Sequence, residues 1–350
     1  ASDVYKRQGI NSMSYTKPNL KSKHYDNLFN SLPSLEGKTI AITGTTSGTG
    51  YVAANACGKL GAKVLLLNRQ SERSVKSYES LKANTPNGDF IRIECDLQNF
   101  NSVKESTKNI EESATEGLDV LCNNAGVMAL EDIATIDGYD VQMQTNHLSH
   151  FLLVKLLFPL LKKAESLRGE ARIINHSSIA RKQPSKILKS AYLEKNGGNL
   201  GGNGTSIMGG ARWLRYNQTK LANAAFTAAL HHKLSATNIN IKAIVAHPGL
   251  AETDLQTTTV KDGGMGKWIT RQMMKFGQSR EDGALGILKS IADSSINSGD
   301  FVGPGMGGMF SAIKGEAKAY PLEGFYDNEE VRNLLWSKSC QAIGQEFSIK

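Results

Sequence analysis

Lys38-Thr39-Ile40-Ala41-Ile42-Thr43 runs directly into Gly44-Thr45-Thr46-Ser47-Gly48-Thr49-Gly50, and from Ser47 to Leu60 the pattern turns helical until Gly61 closes it. A short apolar strand, a glycine turn and a helix in this order open a β-α-β unit. Glycine at 44, 48 and 50 lets backbone amides approach an anion and seats it at the positive end of the following helix. The turn therefore reads as the pyrophosphate site of a dinucleotide.

Working outward, the alternation continues. Strands are expected at Val64–Leu67, Phe90–Cys95, Leu118–Cys122, Ala171–Ser178, Ile239–Ala246 and, briefly, Phe301–Val302. Between and after them lie helical patterns at Ser74–Ala83, Ser102–Ala114, Tyr139–Lys162, Arg212–Leu234, Ala284–Ala292 and Glu329–Ile343, with Pro159 expected to kink the third. Val64–Leu67 is a continuous apolar run, as a parallel strand buried on both faces requires. The fold class is α/β: one Rossmann-type, doubly wound parallel sheet of about seven strands with helices on both faces. One domain is expected over residues 37–347, preceded by a polar, mostly irregular arm at 1–36. Residues 1–8 read as a leader foreign to the native chain.

The composition is that of a water-compatible protein, with 40% hydrophobic and 21% charged residues in 350. No apolar run approaches the roughly 18 to 20 residues that span a bilayer. Net charge is +8, and the stretch from Arg181 to Lys220 holds eight basic residues against Glu194 alone. That stretch reads as a solvated loop or as a basic rim for anionic substrates or an acidic membrane surface. Without aromatic interleaving or a recognised module, nucleic acid is not an expected partner. Cys57, Cys95, Cys122 and Cys340 are widely spaced with no paired motif, which fits a reducing compartment and neither zinc nor a disulfide framework. No metal site is expected.

The run Tyr216-Asn217-Gln218-Thr219-Lys220 places a phenol and an ammonium four residues apart, on one face of a helix. A phenol ordinarily loses its proton near pH 10, and a neighbouring cation pulls that value down. Such a pair can pass a proton to or from a carbonyl or alcohol. A snorkelling lysine beside an amphipathic tyrosine is the plain alternative.

The glycine turn, Asn123-Asn124-Ala125-Gly126, Ser177-Ser178 and the Tyr216/Lys220 pair occur in the order of the short-chain dehydrogenase/reductase family, which the chain resembles over roughly residues 37 to 347. The resemblance implies a proton donor or acceptor in Tyr216 and, in Lys220, a group that lowers its pKa and binds the nicotinamide ribose. Ser178, preferred over Ser177, would hold the substrate oxygen. Asn146, in Asn146-His147-Leu148, would anchor a proton path, with His147 and His150 as packing residues. The same resemblance assigns the cofactor to Gly44, Thr46, Ser47, Gly48, Gly50, Asp96, Leu97, Asn124, Ala125, Gly126, Pro248, Gly249 and Thr253, besides Tyr216 and Lys220. Thr49 departs from the family's aliphatic residue there. Arg69 follows uncharged Asn68 where relatives that prefer NAD carry an acid, and its planar fork suits a phosphate. NADP(H) is therefore expected over NAD(H).

Asn146-His147-Leu148 and Ser279-Arg280-Glu281-Asp282-Gly283-Ala284 resemble the retinol dehydrogenase, WW-domain oxidoreductase and protochlorophyllide reductase branch. That branch implies hydride transfer between NADP(H) and an apolar carbonyl or alcohol: a retinoid, a steroid or a lipid aldehyde. Two other readings stay open, a light-dependent double-bond reductase and a catalytically silent NADP-binding sensor. Tyr216 follows Ser178 by 38 positions, wider than the family's usual spacing. The excess, a Gly-rich insertion at about 185–211, reads as a mobile loop. It and segment 254–278, with Met265, Trp268, Met273, Met274 and Phe276, are expected to wall a substrate pocket. A cytoplasmic homodimer or monomer is expected, with peripheral membrane contact and organelle import left open.

Overall fold

In a computed structural model, residues 18–183, 185–206, 209–305 and 312–349 are described. The foreign leader expected at residues 1–8 lies outside them. Eight strands form one sheet in the order β3-β2-β1-β4-β5-β6-β7-β8. These are β1 Thr39–Thr43, β2 Lys63–Asn68, β3 Asp89–Glu94, β4 Val120–Asn123, β5 Ala171–His176, β6 Ile241–Ala246, β7 Asp300–Gly303 and β8 Lys318–Pro321. All neighbours pair in parallel except β7 and β8. The eighth strand is an addition to the expected sheet. It is four residues long, largely exposed and ends on a proline, so it carries neither an apolar run nor an alternating signal.

Helices cover both faces. On one side lie α4 Phe100–Ser113, α6 Ser149–Arg168, α7 Gly210–Ser235 and α12 Glu329–Ile343, packed in one core with Leu65, Leu121 and Ile173. On the other, α2 Gly48–Lys59 and α11 Leu285–Ala292 close a second core with Ile40, Val64, Ile174 and Ile244. Alternate residues of each strand feed opposite cores, as the pleat requires. α3 Glu72–Asn84 is capped by Ser71, whose hydroxyl accepts from the Ser74 amide.

The helix expected over Tyr139–Lys162 is instead composite. α5 Val141–Met143 passes through one π-helical turn, Gln144–Leu148, into α6, which continues beyond Pro159 to Arg168 and ends on Gly169 with φ +81°. Hydrophobic periodicity does not register an extra residue in a turn; the π-turn arises where Asn146 is drawn into tertiary bonds.

The described part of the arm begins at Pro18. It forms α1 Tyr25–Phe29, and Tyr25, Leu28, Phe29 and Leu32 pack against the second core. Asp282, buried in α10 Arg280–Gly283, ties it down by accepting from Ser22 Oγ (2.7 Å) and from the amides of Lys23, His24 and Tyr25 (2.9, 3.0 and 3.1 Å). Polar composition hid a segment whose backbone donors are satisfied by a residue 257 to 259 positions away.

The basic stretch from Arg181 to Lys220 is solvated only in part: Lys186, Lys189 and Lys195 are exposed, but the rest of its charge is not. Arg181, Arg212, Arg215 and Lys220 are buried. Arg181 and Lys182 pair with Glu323, Arg212 with Glu131 and Asp262, and Arg215 with Asp132 and Asp140. The acids that neutralise these cations lie far away in sequence, so a local charge count could not place them.

The Gly-rich insertion is likewise held. Asp132 accepts from the amides of Gly198, Leu200 and Gly202 (3.1, 2.8 and 2.8 Å), while Arg215 donates to the Leu200 and Gly202 carbonyls (3.2 and 2.7 Å). Glycine is needed at 197 because a Cβ there would sit 2.6 Å from the Ala134 Cα. Here glycines permit close approach rather than mobility. Asp132→Ala is expected to destabilise the protein by about 3–5 kcal/mol, since it orphans three amides and half-strips a fully buried arginine. Urea denaturation checks this; a loss under about 1 kcal/mol would mean the insertion is not anchored there.

Candidate active site

The sheet order reverses between β1 and β4, and the crevice outside their carboxyl ends is where α/β sheets bind ligands. Gly44 follows β1 and Asn124-Ala125-Gly126 follows β4, so both motifs meet there. Gly44 has φ +72°, and a Cβ on it would lie 2.9 Å from the Ala125 Cα. At Gly50 a Cβ would come within 2.3 Å of Asn124 Nδ2 and the Gly44 carbonyl. Asn124 Nδ2 donates to the Thr43 and Gly44 carbonyls (2.8 and 3.2 Å), and Thr43 Oγ1 accepts from the amides of Asn124 and Ala125. The two crossover loops are thereby pinned together.

Thr49 does not loosen this packing, despite its departure from the family. Its hydroxyl donates to Asn124 Oδ1 at 3.0 Å. Ser47, at the N-cap of α2, makes no side-chain cap, so the first-turn amides of a twelve-residue helix face the turn without one. Gly48 packs under Thr253, whose methyl would lie 3.0 Å from an added Cβ. Thr253 itself caps α8 Asp254–Lys261 in a capping box with Gln256. The cradle fits a dinucleotide pyrophosphate: small residues, uncapped amides and a helix dipole point at one spot.

Beyond the turn, Asn68 Oδ1 accepts from the Thr45 amide (2.8 Å) and its Nδ2 donates to Thr45 Oγ1 (2.7 Å), so this residue shapes the turn. Arg69 is exposed at the end of β2. Arg73, in the first turn of α3, was missed from sequence, where no local signal marked it: its guanidinium donates to Thr46 Oγ1 (3.2 Å), Ser47 Oγ (2.9 Å) and Asp254 (3.0 Å). Asp96 Oδ1 accepts from the Gln98 amide (3.0 Å), and the Leu97 carbonyl accepts from Ser149 Oγ (2.6 Å), which fixes the loop after β3. Pro248 and Gly249 follow β6; Gly249 has φ +63°, and a Cβ on it would strike the Ile313 carbonyl.

Tyr216 and Lys220 lie on the inner face of α7, both buried. Lys220 Nζ stands 5.8 Å from the Tyr216 ring centroid and donates to the His176 carbonyl (3.1 Å). Ser178, just past β5, accepts from the Ala180 amide (3.2 Å) and lies near enough to the Tyr216 hydroxyl to draw its pKa down. Asn146 Oδ1 accepts from the Val127 amide (2.7 Å), while its Nδ2 donates to the Val127 carbonyl (2.9 Å) and Thr219 Oγ1 (2.8 Å). Gly126 sits between: a Cβ there would lie 3.2 Å from Asn146 Oδ1 and 3.3 Å from Lys220 Nζ. Ser177 turns away and donates to the Lys220 carbonyl (2.7 Å). His150 bridges the Asn146 carbonyl and Thr43, and His147 meets Ser339, so both act in packing.

The electrostatics differ from the expectation. Burial pushes the Tyr216 phenol up to about 12, and burial lowers Lys220 to about 8. Desolvation is the largest influence on the phenol, and Ser178 rather than Lys220 is the group that works against it. At neutral pH the phenol is protonated.

Met128, Ala129, Trp213 and Met265 form an apolar cluster with Tyr216, backed by Leu255, Val260 and Met273. Trp213 meets the Tyr216 ring edge to face at 5.9 Å and donates to the Gly264 carbonyl (3.0 Å). Segment 254–278 thus contributes Met265 and Met273 to the wall beside the phenol. Trp268 and Phe276 do not join them; both are exposed. All four cysteines are buried and unpaired, and among the described residues no cluster of metal-ligating side chains occurs.

Comparisons with known proteins agree with this geometry. The sequence profile described as short chain dehydrogenase matches residues 38–192. Retinol dehydrogenase 13 of Mus musculus is 31% identical over 318 residues, 89% of this chain and 85% of that protein. An uncharacterized oxidoreductase of Schizosaccharomyces pombe is 34% identical over 229 residues, 65% of this chain and 64% of that one, a little under two thirds of its length. The crystal structure of an uncharacterised protein from Mycobacterium paratuberculosis superposes with a TM-score of 0.69 at 28% identity, covering 92% of this chain and 98% of that one. The chain belongs to the short-chain dehydrogenase/reductase family of oxidoreductases. Within that family it stands in the retinol-dehydrogenase-like branch. Among the described residues no helix is long and apolar enough to cross a membrane.

Proposed function

We propose that this oxidoreductase interconverts an apolar carbonyl compound and its alcohol with NADP(H). The observation that carries the reading is the convergence of Tyr216, Ser178, Lys220 and Asn146 beneath an apolar wall, beside the glycine cradle. When bound, the dinucleotide supplies a hydride to the carbonyl carbon or takes one from the alcohol. The chain's own residues handle the oxygen. Tyr216, protonated at neutral pH, donates its proton there, and Ser178 holds the developing charge. Lys220 would bind the nicotinamide ribose, and Asn146, held by its bonds to Val127 and Thr219, would anchor the proton path to it. Met128, Trp213, Met265 and Met273 favour an apolar substrate body and exclude water.

Arg69 and Arg73 support the 2′-phosphate form of the cofactor. Arg69→Ala and Arg73→Ala are each expected to weaken NADPH binding about 10- to 100-fold, the equivalent of one lost charge-assisted contact, with NADH affinity changed less than about 3-fold. Titration of cofactor fluorescence measures this; equal losses for both cofactors would remove the preference. The activity itself is tested by following NADPH oxidation in the dark with retinal, a steroid ketone, a long-chain aldehyde and protochlorophyllide. Turnover of one of the first three is expected. Turnover of protochlorophyllide alone and only under light, or of none of the four, overturns the reading.

A further inference from the structure

α9, Lys267–Met274, has two unlike faces. Inward it buries Thr270 and Met274, and Met273 packs with Met265 against Trp213 and Tyr216. Outward it shows Trp268, 72% exposed, and just beyond its end Phe276, 58% exposed. Arg271 and Lys275 are exposed on the same outer surface. From Gly263 to Ser279 the sequence has no acidic residue and three basic ones, Lys267, Arg271 and Lys275.

We infer that the outer face of α9 docks on an anionic phospholipid bilayer, with Trp268 and Phe276 entering the headgroup boundary. A large aromatic pair set beside Arg271 and Lys275, with no acid in the sequence between the two rings, is the chemistry of a helix lying in a membrane interface. Aromatic rings bury apolar area there while the guanidinium and ammonium meet phosphate. A second copy of this chain does not suit the patch: a two-fold contact would set cations against cations. The location gives the contact a purpose. The helix that meets the bilayer is the one whose other face covers the apolar cluster at Tyr216, so a substrate dissolved in the membrane would reach the pocket without crossing water. That purpose rests on the function proposed above; the docking itself does not.

The test uses the full chain with phosphatidylcholine vesicles, with and without phosphatidylserine, and no substrate. Co-sedimentation with the anionic vesicles is expected, weakening as salt is added. Trp213 and Trp336 are buried, so a blue shift of tryptophan emission on vesicle addition reports Trp268. Trp268→Ala is expected to lower vesicle affinity roughly tenfold and abolish the shift. Reversing both charges, Arg271→Glu with Lys275→Glu, is expected to lower it on the order of 25-fold or more, at roughly fivefold per charge. Absence of binding to anionic vesicles overturns the inference, as does binding that neither variant weakens, including capture by an acidic protein in place of lipid. A chain that binds vesicles yet turns over no carbonyl would leave the docking standing and the proposed function fallen.

Discussion

Tyr216→Phe is expected to lower turnover of a carbonyl substrate by about 10²- to 10⁴-fold, while NADPH binds within about 3-fold of the parent. The hydroxyl is the atom removed, and the ring remains to fill its place against Trp213 and Met265, so packing loses little. Because burial holds the phenol at about 12, reduction should be pH-independent through neutrality, whereas alcohol oxidation, which needs a base, should accelerate as pH rises. Lys220, lowered to about 8 by burial, titrates inside that alkaline range and gives the oxidation profile its inflection. Steady-state rates in both directions from pH 6 to 10 measure this. Full activity in the phenylalanine variant would remove Tyr216 from the chemistry.

The second large effect is acid unfolding. His147, His150, His176 and His247 are buried, and desolvation lowers them to about 3, 4, 3 and 3. Their unfolded value is near 6.5, so protons bind the unfolded chain more tightly. Stability from these groups is complete above about pH 6.5 and drains as pH falls toward their folded values. At pH 5 each costs roughly 2 kcal/mol, together roughly 8. Asp140 works the other way: burial, only partly offset by bonds from Met143 and Gln142 and by Arg215, raises it to about 6. Its destabilising charge is present at neutral pH and relieved on acidification, returning roughly 1 kcal/mol by pH 5. The net loss of roughly 6–7 kcal/mol rivals the whole stability of an ordinary domain. Urea midpoints at pH 7.5 and pH 5 should differ sharply, with a net uptake of about three protons on unfolding near pH 5.5, nearly four by the imidazoles less most of one released by Asp140. An unchanged midpoint would mean that these imidazoles are charged in the folded protein.

The parallel sheet was readable because each central strand is an apolar run bounded by glycine or a polar turn, and local pattern and tertiary burial agree there. The glycine turn was readable for a similar reason: Gly44 and Gly48 take positive φ, a local demand that favours glycine, and the strand and helix on either side are local patterns too. Arg73 was missed because it lies on a polar helix face, where nothing local separates a guanidinium aimed at Thr46 and Ser47 from one aimed at solvent. Trp213 was passed over because an aromatic one turn before Tyr216 looks like ordinary helix packing.

By itself the chain order of residues pointed to the doubly wound architecture and the glycine turn, and the family resemblance carried by its motifs named Asn146, Ser178, Tyr216 and Lys220; that residues from three separate elements come together was decided by tertiary structure. Whether the glycine insertion is slack or caged, whether the basic stretch is rim or interior, and which way the Tyr216 proton leans were decided only by tertiary structure. Asp132, Glu323 and Asp282 reach their partners across scores of residues, and the depth of burial around Tyr216 and Lys220 is created by elements far apart in sequence. Desolvation and long-range pairing are properties of the packed solid, and no local stretch of sequence contains them.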